Sequence, residues 1–295
     1  MVEKRITLFN LFNGLLMVVL VFIMIYPLIN LLAISFTGPK YIAEANGLSV
    51  VPRDFTMATY KALLTNRKVY RGLFNSFLIT GAGTAINLLL TSIAAYVLTR
   101  KYLLGRRFFL VFIIITMIFE GGLIPDYFLI RNLGLLNTYW SVILYKAINP
   151  YYLIILMRFF ERVPVSLEEA ARLDGAGEWQ IFSKIFVPLN RGGIATIGLF
   201  YGVFHWNEYF RALIYLTDEA LWPLQVVLRE LIVGGGKATF LGGLSFLKYS
   251  DASMMIDIKA LKSGMIILAI LPVLLVYPLI LKYFTRGTML GSIKE

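Results

Sequence analysis

Residues 164–189 read PVSLEEAARLDGAGEWQIFSKIFVPL, a polar, helix-forming stretch inside a chain that is otherwise mostly apolar. Four acids, Glu168, Glu169, Asp174 and Glu178, fall within eleven positions of it. Pro164 lacks an amide proton and crowds the turn before it, so a preceding helix stops there. Ser166 with Glu169 three residues later has the spacing of a capping box. Leu167 through Asp174 favour helix, and Gly175 stands where a left-handed C-terminal stop belongs. A second helical run, from about Glu178 to Phe186, sets Trp179, Ile181, Phe182 and Ile185 on one face at a 3.6-residue period. Pro188 then separates it from the next apolar run. The pattern predicts a short helix, a glycine turn and an amphipathic helix at a membrane surface. Two roles fit it: a solvated surface loop, or a docking element, since Ala170 and Ala171 leave one side of the first helix without bulk.

The surroundings decide the class. Of 295 residues, 59% are hydrophobic and only 15% charged, with a mean hydropathy of +0.76. A soluble domain carries roughly 25% charge, so the composition is that of an all-α polytopic membrane protein. The net charge of +11 does not argue for nucleic acid, because the basic residues cluster beside apolar runs instead of along one face. The absence of cysteine excludes disulfides and thiolate metal sites, and His205 is the single histidine. A bilayer needs about 20 apolar residues in a helix, and six segments qualify: roughly 11–35, 74–99, 108–125, 138–159, 192–216 and 263–284. The first exceeds the core of a signal peptide and reads as an uncleaved anchor after "VEKR". Arg100, Lys101, Arg106 and Arg107 crowd one short connection, which marks it as cytoplasmic. Six spans then leave both termini and the loop 161–190 on that side. Two longer segments, about 36–73 and 217–262, fall outside. "VGGGKATFLGG" fails as a phosphate loop, because Leu231 and Ala238 stand where a glycine and a Ser or Thr are required.

Polar groups within spans turn toward protein or water. Asn87 and Thr91 share a face of the second span, where both helix–helix hydrogen bonding and a solute path explain them. In the fifth span Tyr201, His205 and Glu208 recur at i, i+4 and i+7, with Asn207 and Arg211 beside them. Aromatic faces, amides and carboxylates suit sugars, while His205 taken alone reads more readily as a satisfied structural histidine than as a ligand. Glu120, the other intramembrane acid, needs a Lys or Arg partner, or protonation. Lys146, Arg131 and Arg211, near the outer half, fit pairing with Glu120, Glu208 or headgroups and equally fit attraction of acidic-sugar carboxylates.

The stretch EAARLDGAGEWQIFSKIFVP resembles the signature of ABC-importer permeases, carried here by Glu169, Ala170, Ala171, Gly175, Ile185, Val187 and Pro188. Val187 replaces the commoner leucine. "GLIPDYFLIRNLGLLNTYWSVIL", "HWNEYFRALIYLT" and "YFTRGTMLGSIKE" are similar to the corresponding parts of carbohydrate permeases of the maltose-importer type, in the branch serving oligosaccharides such as alginate fragments. The resemblance implies one permease domain over 1–295 with the ABC type I importer fold and a cytoplasmic coupling helix. It implies that Glu168, Glu169, Ala170, Ala171, Arg172, Asp174 and Gly175 engage an ATPase, and that Asn87, Thr91, Tyr201, His205, Asn207, Glu208 and Arg211 border the solute path. It also implies no enzyme activity and no cofactor on this chain, with ATP and magnesium on two partner ATPase subunits. A second permease subunit in a heterodimer, an extracytoplasmic sugar-binding protein and the bacterial cytoplasmic (inner) membrane complete the expected setting. A secondary transporter or channel is the alternative.

Overall fold

The computed structural model describes residues 8–233 and 257–289, so most of the glycine-rich run 233–243, the basic N-terminus and the last six residues lie outside the described part. Among the described residues every regular element is helical. The described parts form two compact units, 8–70 with 227–233 and 257–271, and 71–226 with 272–289.

The first unit holds α1 (Leu8–Ser35), α2 (Ala58–Thr65), the start of α3 (Arg67–Thr99), most of α13 (Leu224–Val233) and the first part of α14 (Ile258–Met289). Only the last three residues of α1 are buried; apart from Asn10, Asn13 and Asn30 its other side chains are mostly apolar and largely exposed, the surface of a helix meant for lipid. The stretch after α1 turns back on it through backbone carbonyls. Asn30 donates to the carbonyls of Asn46 and Ser49 at 2.9 and 2.7 Å, and the Tyr26 hydroxyl donates to Gly47 at 2.8 Å. Ile34, Ile42, Ala45 and Ala260 close a small core, and Lys68 pairs with Glu230 at 3.2 Å.

The second unit holds the rest of α3, then α4 (Arg106–Ile118), α5 (Leu123–Asn132), α6 (Trp140–Ile143), α7 (Pro150–Phe160), α8 (Val165–Leu173) and α9 (Glu178–Ile181). A π-helical turn (Phe182–Phe186) leads into α10 (Val187–Leu189), followed by α11 (Arg191–Trp206) and α12 (Phe210–Tyr215). One core joins Ala95, Tyr96, Leu156, Phe160, Ile181, Phe186 and Ile197; another joins Ile79, Val142, Ile143, Ala212 and Leu216. Gly83 permits the α3–α11 contact. A Cβ there would lie 2.5 Å from the His205 ring, whereas one at Gly81 meets open space.

Six continuous spanning helices do not appear among the described residues. Among the described residues α1, α3 and α14 are long and apolar enough to cross a bilayer, and the α4–α5 pair, bent by 117°, makes a fourth if counted as one span. The expected span 108–125 breaks after Ile118, where Phe119 is extended and Gly122 takes a φ of 84°. The expected span 138–159 is interrupted between α6 and α7. There the Asn149 side chain accepts from the amide of Tyr151 at 3.0 Å and Pro150 occupies the first helical position, an N-terminal pattern already written in "NP". The expected span 192–216 stops at Trp206; its 16 residues make a helix of only roughly 24 Å.

Replacing Gly83 with leucine is expected to cost about 1–3 kcal/mol through overpacking against His205, while Gly81→Ala is neutral. Thermal unfolding of the purified complex in detergent checks both.

Candidate coupling hairpin and polar seam

The hairpin of 164–189 begins without its expected cap. Helix α8 starts at Val165 with Pro164 as N-cap, and no Ser166–Glu169 capping box forms. Pro164 has already turned the chain, its φ and ψ being −59° and 131°, so Ser166 lies inside the first turn where its hydroxyl cannot act as a cap. The C-terminal stop is as the spacing predicts. Gly175 has a φ of 80°, its amide reaches the Arg172 carbonyl at 3.0 Å, and the Ala176 amide reaches Ala171 at 2.9 Å. These are the paired bonds of a glycine-terminated helix. The second run is helical to Leu189 but widens to a π turn just ahead of Pro188, whose missing amide proton removes one donor from the regular ladder. Ile181, Phe182 and Phe186 are buried, and Ile185 is half-buried. Trp179 departs from the predicted face: it is 64% exposed and touches only the rim, its ring 5.4 Å from that of Phe182.

The acids of the hairpin divide into two sets. Glu168 and Glu178 are tied inward. Glu168 pairs with Arg100 and, at 3.0 Å, with Arg172; Arg172 also pairs with Glu178. The hydroxyls of Tyr96 and Tyr102 donate to Glu178 at 2.5 and 3.1 Å, and Arg172 donates to Tyr102 at 2.8 Å. The Arg100 side chain, 8% exposed, lies over the Tyr96 ring at 3.9 Å and the Phe186 ring at 4.7 Å. Its Nε and Nη2 have no partner in the structure. Partial burial works to raise the Glu178 carboxyl, but hydrogen bonds from Tyr96, Arg172 and Tyr102 outweigh it and hold the group below the ordinary value. The Arg172 guanidinium is correspondingly held more firmly protonated, by Glu178 first and Glu168 second.

Glu169, Ala170, Asp174 and Gly175 instead face outward, together with Leu173, which is 88% exposed. Ala171, on the inner side of α8, is half-buried against the core. A Cβ on Gly175 would meet nothing within 4 Å, so the tip is bare. Leu173 was not singled out by the sequence, and an apolar side chain at the tip of a charged helix is the signal that marks it.

The expected path residues fall into two places. Asn87, Thr91, Tyr201 and His205 come together, all buried, in the seam between α3 and α11. The Asn87 amide donates to His205 Nε2 at 3.0 Å. The Tyr201 hydroxyl accepts from the Asn149 amide at 2.9 Å and meets Thr91 Oγ1 at 2.7 Å. Asn87 Oδ1, His205 Nδ1 and the hydroxyls of Thr80 and Thr84 have no partner in the seam. Asn207, Glu208 and Arg211 lie past the end of α11. Arg211 donates to Glu208 at 2.7 Å and to the Tyr145 hydroxyl at 2.8 Å, with its guanidinium 3.7 Å above the Tyr145 ring. Lys146 pairs with Glu120 at 2.6 Å, which supplies the partner this acid requires. Asn207 and Glu208 help line a cavity of about 550 Å³, whose other walls include Tyr152, Phe204, Tyr209 and Tyr277.

Tyr201→Phe, which strips the bond to Thr91 and the acceptor for Asn149, is expected to lower stability by about 1–3 kcal/mol, the cost of buried groups left unpaired. The measurement is the thermal midpoint against the parent chain.

Three comparisons bear on identity. The polygalacturonan/rhamnogalacturonan transport system permease protein of Bacillus subtilis (strain 168) is 38% identical over 272 residues, covering 92% of this chain and 93% of its own. The arabinooligosaccharides transport system permease protein of Halalkalibacterium halodurans is 28% identical over 92% of each chain. A solved structure of a bacterial ABC transporter involved in the import of the acidic polysaccharide alginate aligns with a TM-score of 0.87 and 29% identity, covering 96% of this chain and 99% of the other. Residues 108–290 match the family described as the binding-protein-dependent transport system inner membrane component. The resemblance carried by Glu169, Ala170, Ala171 and Gly175 is thereby confirmed at the level of family: the chain belongs to the inner-membrane permease components of binding-protein-dependent ABC importers.

Proposed function

We propose that this permease forms half of a path for oligosaccharides bearing uronate carboxylates and that its hairpin 164–189 docks on a cytoplasmic ATPase. The division of acids in the hairpin carries the docking reading. Glu168 and Glu178 are consumed by internal pairs, whereas Glu169, Leu173, Asp174 and Gly175 are displayed. An exposed apolar anchor beside free carboxylates on a bare glycine tip suits a groove that takes one leucine and offers basic groups. Ala170 and Gly175 allow the groove to approach the backbone. With the hairpin cytoplasmic, both termini lie on the same side.

ATP-driven closure of two ATPase subunits then moves the hairpins of this chain and a second permease subunit, and an extracytoplasmic binding protein delivers the sugar. Each ligand acts only through its different affinity for the two states. Asn207, Glu208 and Arg211 enter this reading beside the path, where Tyr152, Phe204 and Tyr277 offer rings to sugar faces. Asn87, Thr91, Tyr201 and His205 form the seam behind them. The acidic substrate is supported by two relatives, one whose name gives polygalacturonan and rhamnogalacturonan and one described as importing alginate.

In proteoliposomes with all partners, Glu169→Lys and Gly175→Leu are expected to insert normally and to lower binding-protein-stimulated ATP hydrolysis and uptake more than about tenfold, the scale of a lost interface anchor. Full activity of both variants, or uptake driven by an ion gradient without ATPase, overturns the coupling role. With the cognate binding protein, uptake of short oligogalacturonates is expected to exceed that of neutral oligosaccharides; a preference for monosaccharides overturns the substrate assignment.

A further inference from the structure

Helix α8 buries none of its residues. Its apolar attachment is slight, half-buried Ala171 and, just past the glycine stop, Ala176 resting on the neighbouring core, and the remaining ties of α8 to the unit run through charge. Arg100 and Tyr96 stand one turn apart at the end of α3, Glu168 and Arg172 one turn apart on α8, and Glu178 opens α9. The contacts form a closed circuit from Arg100 to Glu168, Arg172, Glu178 and back to Tyr96, with Tyr102 bridging Arg172 and Glu178. We propose that Arg100, Arg172 and Glu178, with the Tyr96 and Tyr102 hydroxyls, are positioning residues that clamp the hairpin to α3 so that the two move as one body. The proposal rests on the coupling reading of the hairpin.

Three observations distinguish this circuit from scattered surface pairs, each worth little alone. Every carboxylate in it takes at least two donors. Arg172 uses its planar fork on both acids, a geometry lysine cannot reproduce. Arg100 is buried against two rings, and Tyr96 itself meets Phe182 and Phe186 edge-on at 5.2 and 5.0 Å, so the fixed end of the circuit is set in the core. A force on the exposed tip at Leu173 thus reaches α3 directly through hydrogen-bonded charges, in addition to the covalent turn at 161–164 that leads back to α7.

The chain has no cysteine, so spin labels can be placed in it directly. Leu104→Cys and Val165→Cys, at positions 92% and 65% exposed and outside the proposed docking tip, report the distance between the end of α3 and helix α8 in the assembled transporter. The parent chain is expected to give one narrow distance distribution, the same without nucleotide and with ATP. Glu178→Gln and Arg172→Gln broaden or split it, and the solute moved per ATP falls roughly threefold, the scale of one lost pair within a network. Arg172→Lys restores charge but not the narrow distribution. If a charge variant fails to assemble, Tyr96→Phe with Tyr102→Phe removes only the two hydroxyls and is expected to broaden the distribution likewise. Narrow, unshifted distances in the variants with parental solute per ATP overturn the clamp, as does a parental distance that changes with nucleotide. If Glu169→Lys is also without effect, it is the coupling reading that has failed; if Glu169→Lys abolishes stimulation while the clamp variants behave as the parent, only the clamp has.

Discussion

A polar side chain in an apolar helix must find a partner or water, because hydrocarbon offers neither donor nor acceptor. That constraint explains where the helices of the second unit meet. Asn87 answers His205, Thr91 answers Tyr201, and Tyr201 also takes the amide of Asn149 where the chain breaks between α6 and α7. Arg211 satisfies Glu208 and Tyr145, and Lys146 satisfies Glu120. Glycine sets how near the partners come, since the bare backbone at Gly83 leaves α3 room for the His205 ring. The seam is thus specified by polar pairs and fitted by a missing side chain, while the apolar cores on either side of it supply bulk.

Much of this was legible in the sequence, and the failures have physical causes. The glycine stop of α8 was read correctly, since only a residue free of Cβ strain takes a φ of 80° so readily. The helical, membrane character followed from composition alone. Span continuity was misjudged because hydropathy counts apolar residues without asking whether one helix contains them. Asn149–Pro150 and Gly121–Gly122 carried the breaks, and both were printed in the chain. The capping box failed for a related reason, as the proline before it had already fixed the helix start, with Pro164 as cap two residues ahead of the expected one at Ser166.

The charges of the hairpin were harder. Sequence spacing gave the i, i+4 relation of Glu168 and Arg172 but could not show that Arg100 folds back from α3 to meet Glu168, 68 positions away. Short-range periodicity sees one helix at a time. Partner choice between helices is tertiary, and it decides which of four neighbouring acids is free. By that route Glu169 and Asp174 emerged as displayed groups, and Glu178, which no motif had marked, as a half-exposed group held by Arg172, Tyr96 and Tyr102.

The length of α3 has a mechanical consequence. Its 33 residues extend about 50 Å, against a hydrocarbon layer of roughly 30 Å. Arg100 therefore sits just beyond the tip of a rod that outruns the lipid. Displacing that tip sideways by about 5 Å tilts such a rod by only about 6° when its far end is the pivot. A long arm of this kind converts a sizeable push at the water's edge into a small, controlled rotation among closely packed neighbours, which is the gearing a tightly fitted bundle requires if it is to move without coming apart.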